Sequence, residues 1–128
     1  MKANKKVFYF VEEMLDAVVA VYYGTGKQCL SWISRKYPTA DFTMKDFADG
    51  YAKAITITAD GIPCLYLIWL GPAKSLCNLS HECDHTAFNI LSDRGILVTP
   101  DEHETHAYLT GWLISEIYAA VFSTSQNK

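Results

Sequence analysis

The chain has 128 residues, 50% of them hydrophobic and 20% charged, enough for one globular domain with a buried core and too few for two. Eleven Lys and Arg against 14 Asp and Glu give a net charge of -3, which lacks the positive surface that phosphate neutralisation requires, so nucleic acid is not an expected partner. The longest strongly apolar stretch, Ile62 to Leu70, contains Pro63 and is too short to span a bilayer as a helix, so no membrane partner is expected either.

Lys2, Lys5 and Lys6 ahead of the apolar segment Val7 to Val11 have the outline of a secretory leader, but Glu12 and Glu13 end that segment before a leader core can form. The start is therefore read as mature protein. Cys29, Cys64, Cys77 and Cys83 form no CxxC pair, so reduced thiols and a cytoplasmic location are expected. Val7 to Val11 and Val18 to Tyr23 are rich in β-branched and aromatic residues around a charged interruption, which predicts a hairpin, with one amphipathic helix as the alternative. From Thr25 to Tyr37, Cys29, Leu30, Ile33 and Tyr37 recur at helical spacing, and Pro38 stops the helix. Ala54 to Thr58 and Cys64 to Leu70 bracket the turn-rich connector Ala59-Asp60-Gly61-Ile62-Pro63 and predict a second hairpin.

Gly71-Pro72 breaks the strand. Leu76, Leu79, Cys83, Ala87, Ile90 and Leu91 then recur every three or four residues, predicting a helix that ends at Arg94-Gly95. Thr99-Pro100-Asp101-Glu102 has the form of a capping box, with Thr99 at N-cap and Glu102 at N3, opening a helix that runs to about Phe122. Only Ser123 to Lys128 reads as a frayed tail. The expected fold class is α+β, a small and mostly antiparallel sheet with two long C-terminal helices, in one domain spanning residues 1–128.

His81-Glu82-Cys83-Asp84-His85 sets two imidazoles four residues apart on one helix face, with Cβ atoms roughly 5 to 6 Å apart, a separation at which one tetrahedral ion can hold both. Glu82 lies further round the helix, where it reaches a metal-activated water without being a ligand itself, the position a general base requires. Cys83 falls on the opposite side and is expected in the core, while Asp84 flanks the pair on the side away from Glu82. Histidines held in the surface or core without metal are the bland alternative. A structural zinc site from Cys77, His81 and His85 is excluded by the helical rise of about 12 Å over eight residues.

Glu102, His103, Glu104 and His106 on the following helix point in different directions. Ala107, Tyr108, Gly111 and Ser115 share the face of Glu104, and three of the four are small enough to let that face pack closely on the preceding helix. Glu104 is therefore the expected third ligand, with His103 as its rival and Glu102 assigned to the cap. Tyr108, one turn beyond Glu104, is a candidate donor to a developing oxyanion, or else a buried tyrosine with a satisfied hydroxyl.

On His81, Glu82, His85 and Glu104 the sequence resembles the gluzincin group of zinc metallopeptidases, in which an HExxH helix is followed by a helix donating a glutamate. From Leu65 to Tyr118, a little under half of the chain, it looks in particular like small metallopeptidase-like proteins encoded by phages and prophages. Asp84 departs from that pattern, since the position is commonly apolar or small. The resemblance implies a minimal zincin-like fold, a zinc cofactor, a peptide or protein substrate, and hydrolysis with Glu82 moving the proton from water to the leaving amine. It also implies that Cys64 to Leu70 is an edge strand along which an extended peptide pairs, although its nearly continuous apolar character also suits an interior strand. For a phage-encoded chain, the cytoplasm in question is that of the host. The competing expectation is a non-catalytic zinc-binding protein of phage morphogenesis or host interaction, against which the retained Glu82 speaks. A nucleic-acid adaptor is disfavoured by the charge.

Overall fold

Ala17–Tyr23 and the Leu65 to Leu70 run are apolar at nearly every position, as strands must be when both of their faces are covered. In the computed structural model, which describes residues 6–47, 51–72 and 75–122, these segments form the two central strands of the sheet. The strands are β1 (Val7–Glu12), β2 (Ala17–Tyr23), β3 (Ala52–Ala59) and β4 (Ile62–Leu70), in the spatial order β1-β2-β4-β3. β2 and β4 run parallel, and each outer strand is antiparallel to its neighbour. The molecule is thus α+β as expected, but its sheet is mixed. Both expected hairpins are present. The second turns at Asp60 and Gly61, whose φ angles of 53° and 78° belong to the left-handed region that tight hairpin turns use.

Helix α1 (Gly26–Lys36) begins at a capping box in which the Thr25 hydroxyl accepts the Gln28 backbone N–H and the Gln28 side-chain oxygen Oε1 accepts the Thr25 N–H. It covers one face of the sheet, where Cys29 and Ile33 join Ala20, Ile55, Ile57, Leu65, Leu67 and Trp69 in one core. Helices α2 (Leu76–Asp93) and α3 (Glu104–Ile117) cover the other face, packed on Val19, Val21, Tyr66, Ile68 and Leu70. Three layers result, with the sheet in the middle.

Arg94, which the sequence marks only as a helix end, holds the layers together. Its Nε donates to the Leu15 carbonyl at 2.6 Å, its Nη2 to the Asp16 carbonyl at 3.0 Å, and its Nη1 to the Tyr66 hydroxyl at 3.1 Å and the Ile90 carbonyl at 3.3 Å. Tyr66 in turn donates to Asp93 at 2.7 Å. Burial, followed by the neighbouring Asp93 carboxylate, pushes the Tyr66 phenol above its ordinary pKa and keeps it a donor.

Two expectations about the C-terminal half need correction. The Thr99 hydroxyl does accept the Glu102 N–H, at 3.0 Å, but Thr99 and Glu102 also exchange two backbone hydrogen bonds of 3.1 Å and close a turn. Helix α3 therefore starts later, at Glu104, with His103 at its N-cap and no side-chain cap. The helical path does extend to Phe122, its last turn (Tyr118–Phe122) being a π turn. The second correction concerns β4, which lies between β2 and β3, so the strand expected at the edge is interior and the edge strand is β3.

Candidate metal centre

Along α2 the side chains of Leu79, Cys83, Ala87 and Ile90 point into the core. His81, Glu82, His85 and Asn89 lie on one flank of this stripe and face the edge strand β3, where they line an open cavity of about 320 Å³ together with Ala52, Lys53 and Ala54. Alternation along β3 turns Ala52 and Ala54 toward α2, and their small side chains leave the space that the imidazoles need. Lys53 alternates to the other sheet face, where its Nζ lies 3.9 Å from Asp46, so it contributes backbone to the cavity wall.

The two imidazoles converge. The Nε2 atoms of His81 and His85 stand 3.1 Å apart, with ring centroids 4.7 Å apart and planes at 79°. Two nitrogens held about 2.0 to 2.1 Å from a tetrahedral ion are separated by about 3.3 Å, so the pair has the spacing of two ligands on one cation. The same spacing suits a hydrogen bond when one neutral ring donates to the other. Glu82 borders the same cavity. By residue type and spacing, the donor set fits zinc at two positions.

Glu104 is not part of this arrangement. On α3 the buried stripe is Leu109, Leu113 and Ile117, and the whole face of Glu104, Ala107, Tyr108, Gly111 and Ser115 is exposed. The expected packing of small residues against α2 gives way to the burial of three large aliphatic side chains, each contributing roughly 1.5 to 3 kcal/mol. His106, at the start of that buried stripe, contacts α2 instead, with its Nε2 3.1 Å from Asp84 Oδ1 and 3.3 Å from the Asp84 carbonyl. Asp84 is on the flank of α2 opposite the cavity. Helix α3 therefore packs on the side of α2 that His81, Glu82 and His85 do not face. Tyr108 is half-exposed on the outer face of α3, and His103 and Glu102 are exposed before and at its start. Among the described residues, no three His, Cys, Asp or Glu side chains converge in a metal-holding group.

Asn89, the neighbour of the pair that sequence reasoning missed, stands one turn beyond His85, and its spacing alone could have marked it. Ala52 and Ala54 were also readable, since their alternation in Ala52–Ala59 turns only small side chains toward α2 at that end of the strand.

Burial pushes the Cys83 and Cys29 thiols up to about 12, so neither is a thiolate nucleophile at neutral pH, and both side chains pack in the core and not beside the histidine pair. Cys64 and Cys77 are exposed. A thiol reagent added to the native protein is expected to modify Cys64 and Cys77 quickly and to reach Cys29 and Cys83 only after denaturation, as followed by intact-mass spectrometry. Rapid native modification of Cys83 would contradict the packing of α2 on the sheet.

No known family profile matches the chain, and neither a curated protein nor a solved structure is detectably similar to it. The described residues include no helix long and apolar enough to cross a membrane.

Proposed function

We propose that the protein is a zinc-dependent peptidase that draws an extended polypeptide along the outer edge of β3 and hydrolyses it beside His81, Glu82 and His85. The observation that carries this reading is the convergence of the two imidazole Nε2 atoms, 3.1 Å apart, over a cavity whose opposite wall is an edge strand. His81 and His85 would hold the ion. When bound, zinc would supply Lewis acidity toward a carbonyl oxygen and a water. Glu82, bordering the same cavity, takes the proton from the attacking water and returns it to the leaving amine.

The edge strand gives the substrate class a physical basis. Gly71 N–H donates to the Tyr51 carbonyl at 2.8 Å, which fixes the alternation of hydrogen-bonding residues in the β3/β4 pair. Ala52, Ala54 and Thr56 accordingly turn their backbone N–H and C=O groups outward, to the side where no strand is paired among the described residues. A peptide adding there is held through its own backbone, with its alternate side chains directed toward the histidines. With two protein ligands the ion is exchangeable, so activity is expected to require added zinc, to disappear with a chelator and to return on zinc addition. Cleavage of an unstructured polypeptide, followed by mass spectrometry, reads this out. Activity that survives complete chelation would overturn the proposal.

A second reading, zinc binding in phage morphogenesis or host interaction without turnover, is favoured by the exposed position of Glu104 on α3. Under either reading Glu104→Ala is expected to change zinc affinity by less than about two-fold in a competition titration, because that face of α3 points to solvent. A ten-fold or greater loss would bring Glu104 back as a ligand. Cleavage by the wild-type protein separates the two readings.

A further inference from the structure

We infer that β1 is a self-pairing edge, at which two copies of the chain join their four-stranded sheets into one of eight strands about a two-fold axis at Tyr9. The inference concerns the sheet edge opposite the histidine pair and does not depend on the proposed activity.

The sequence from Lys5 to Glu13 is Lys-Lys-Val-Phe-Tyr-Phe-Val-Glu-Glu. Its apolar centre reads identically in both directions, while its ends carry opposite charges. Laid antiparallel on a second copy with Tyr9 opposite Tyr9, the segment sets Val7 against Val11, Phe8 against Phe10 and Lys6 against Glu12. Every apolar position then meets an apolar one and every charge meets its opposite. Shifting the register by one residue loses these matches and exchanges the faces of every side chain.

The backbone agrees with this register. The Tyr23 N–H donates to the Lys6 carbonyl at 2.8 Å, so in the antiparallel β1/β2 pair Phe8, Phe10 and Glu12 turn their peptide groups toward β2, whereas Val7, Tyr9 and Val11 turn theirs to the side where no strand is paired among the described residues. Pairing centred on Tyr9 matches Tyr9 with Tyr9 and Val7 with Val11. The outward N–H and C=O groups of each copy thus meet outward groups of the other. A two-fold centred on Phe8 or Phe10 would bring inward-facing groups together.

The side chains point the same way. Tyr9 is 50% exposed and Val11 53% exposed, on the sheet face they share with Val18. Natural edge strands are usually blunted by charged residues, a proline or a bulge. From Val7 to Val11 β1 has none of these, its charges standing only at the two ends, and β1/β2 pairs in unbroken register. In the two-fold arrangement the two Tyr9 rings become cross-strand neighbours and Val7 covers Val11 of the other copy. Glu12, nearly buried and accepting the Leu15 N–H at 2.8 Å, gains a lysine nearby. The β3 edge and its cavity stay open in both copies.

The test exchanges the residue on the two-fold axis. By light scattering coupled to size exclusion, the wild-type chain is expected at twice its 14.4 kDa mass. Tyr9→Lys and Tyr9→Glu, each checked for native circular dichroism, place like charges opposite one another and are each expected to weaken the dimer by about ten-fold or more. An equimolar mixture of the two variants pairs lysine with glutamate and is expected to recover the dimer as a mixed species. A wild-type monomer at all concentrations, variants that dimerise like wild type, or folded variants whose mixture stays monomeric would each overturn the inference.

Discussion

Glu82→Gln is expected to abolish peptide hydrolysis, a loss of about 10²- to 10⁴-fold in kcat, while the variant binds zinc as the wild type does. Glutamine keeps the size and the hydrogen-bonding oxygen of the side chain but accepts no proton at neutral pH. Glu82 lies beside His81 in sequence, on the same cavity, yet outside the Nε2 pair. Its replacement should therefore act on turnover and leave KM nearly unchanged, the pattern of a group that matters only in the transition state. Comparable falls in zinc content and activity would make Glu82 a ligand. Unchanged activity would place the general base elsewhere.

The second large effect is on stability. Arg94→Ala removes a charged side chain that donates to two carbonyls of the β1/β2 turn, to the Tyr66 hydroxyl and to the Ile90 carbonyl. With hydrogen bonds from a charged donor contributing about 1.5 to 3 kcal/mol each and several acceptors left partly buried, a loss of about 3 kcal/mol or more is expected. For a chain of this length that lowers Tm by about 10 °C. Arg94→Lys should recover little of the loss, because an ammonium cannot reproduce the guanidinium fork that reaches three segments at once. Tyr66→Phe, which removes only the hydroxyl shared with Asp93, should cost about 1 kcal/mol. Thermal melts that place Arg94→Ala within 2 °C of wild type would show that the hairpin is held by its own turn alone.

Elements with strong local signals were legible in the sequence. Both hairpins, α1 with its Pro38 stop, the HExxH helix and the core position of Cys83 follow from period and turn chemistry, which depend on neighbouring residues only. Misreadings arose where the outcome depends on distant parts of the chain. Cys64 to Leu70 is interior because β2 pairs with it in parallel, a position that its nearly continuous apolar run allowed but that the implied edge role set aside. Thr99 makes its hydrogen bond to Glu102, but the backbone closes a turn there and the helix waits until Glu104.

The choice of face on α3 shows two sequence signals in competition. Ala107, Gly111 and Ser115 suggested close approach, whereas Leu109, Leu113 and Ile117 offered far more apolar area, and the larger burial decided the orientation. Given the aliphatic stripe, His106 falls on the packed side and Glu104 on the solvent side, so the position of Glu104 was readable had area been weighed above size. Arg94 was not readable in this way. An arginine closing a helix carries no mark of the hairpin 79 residues earlier that it braces.

Zinc stoichiometry, measured by elemental analysis on wild type and on His81→Ala and His85→Ala, tests the central claim most directly. The expected result is about one zinc per wild-type chain at saturating metal and little in either variant. An anomalous-scattering peak should lie between the two imidazoles, and the wild type should gain thermal stability on zinc addition by about 2.7 kcal/mol at a hundred times its Kd. A wild-type chain that takes up no more zinc than the variants, with a melting temperature indifferent to metal and chelator, would contradict the assignment of His81 and His85 as ligands and the peptidase reading with it.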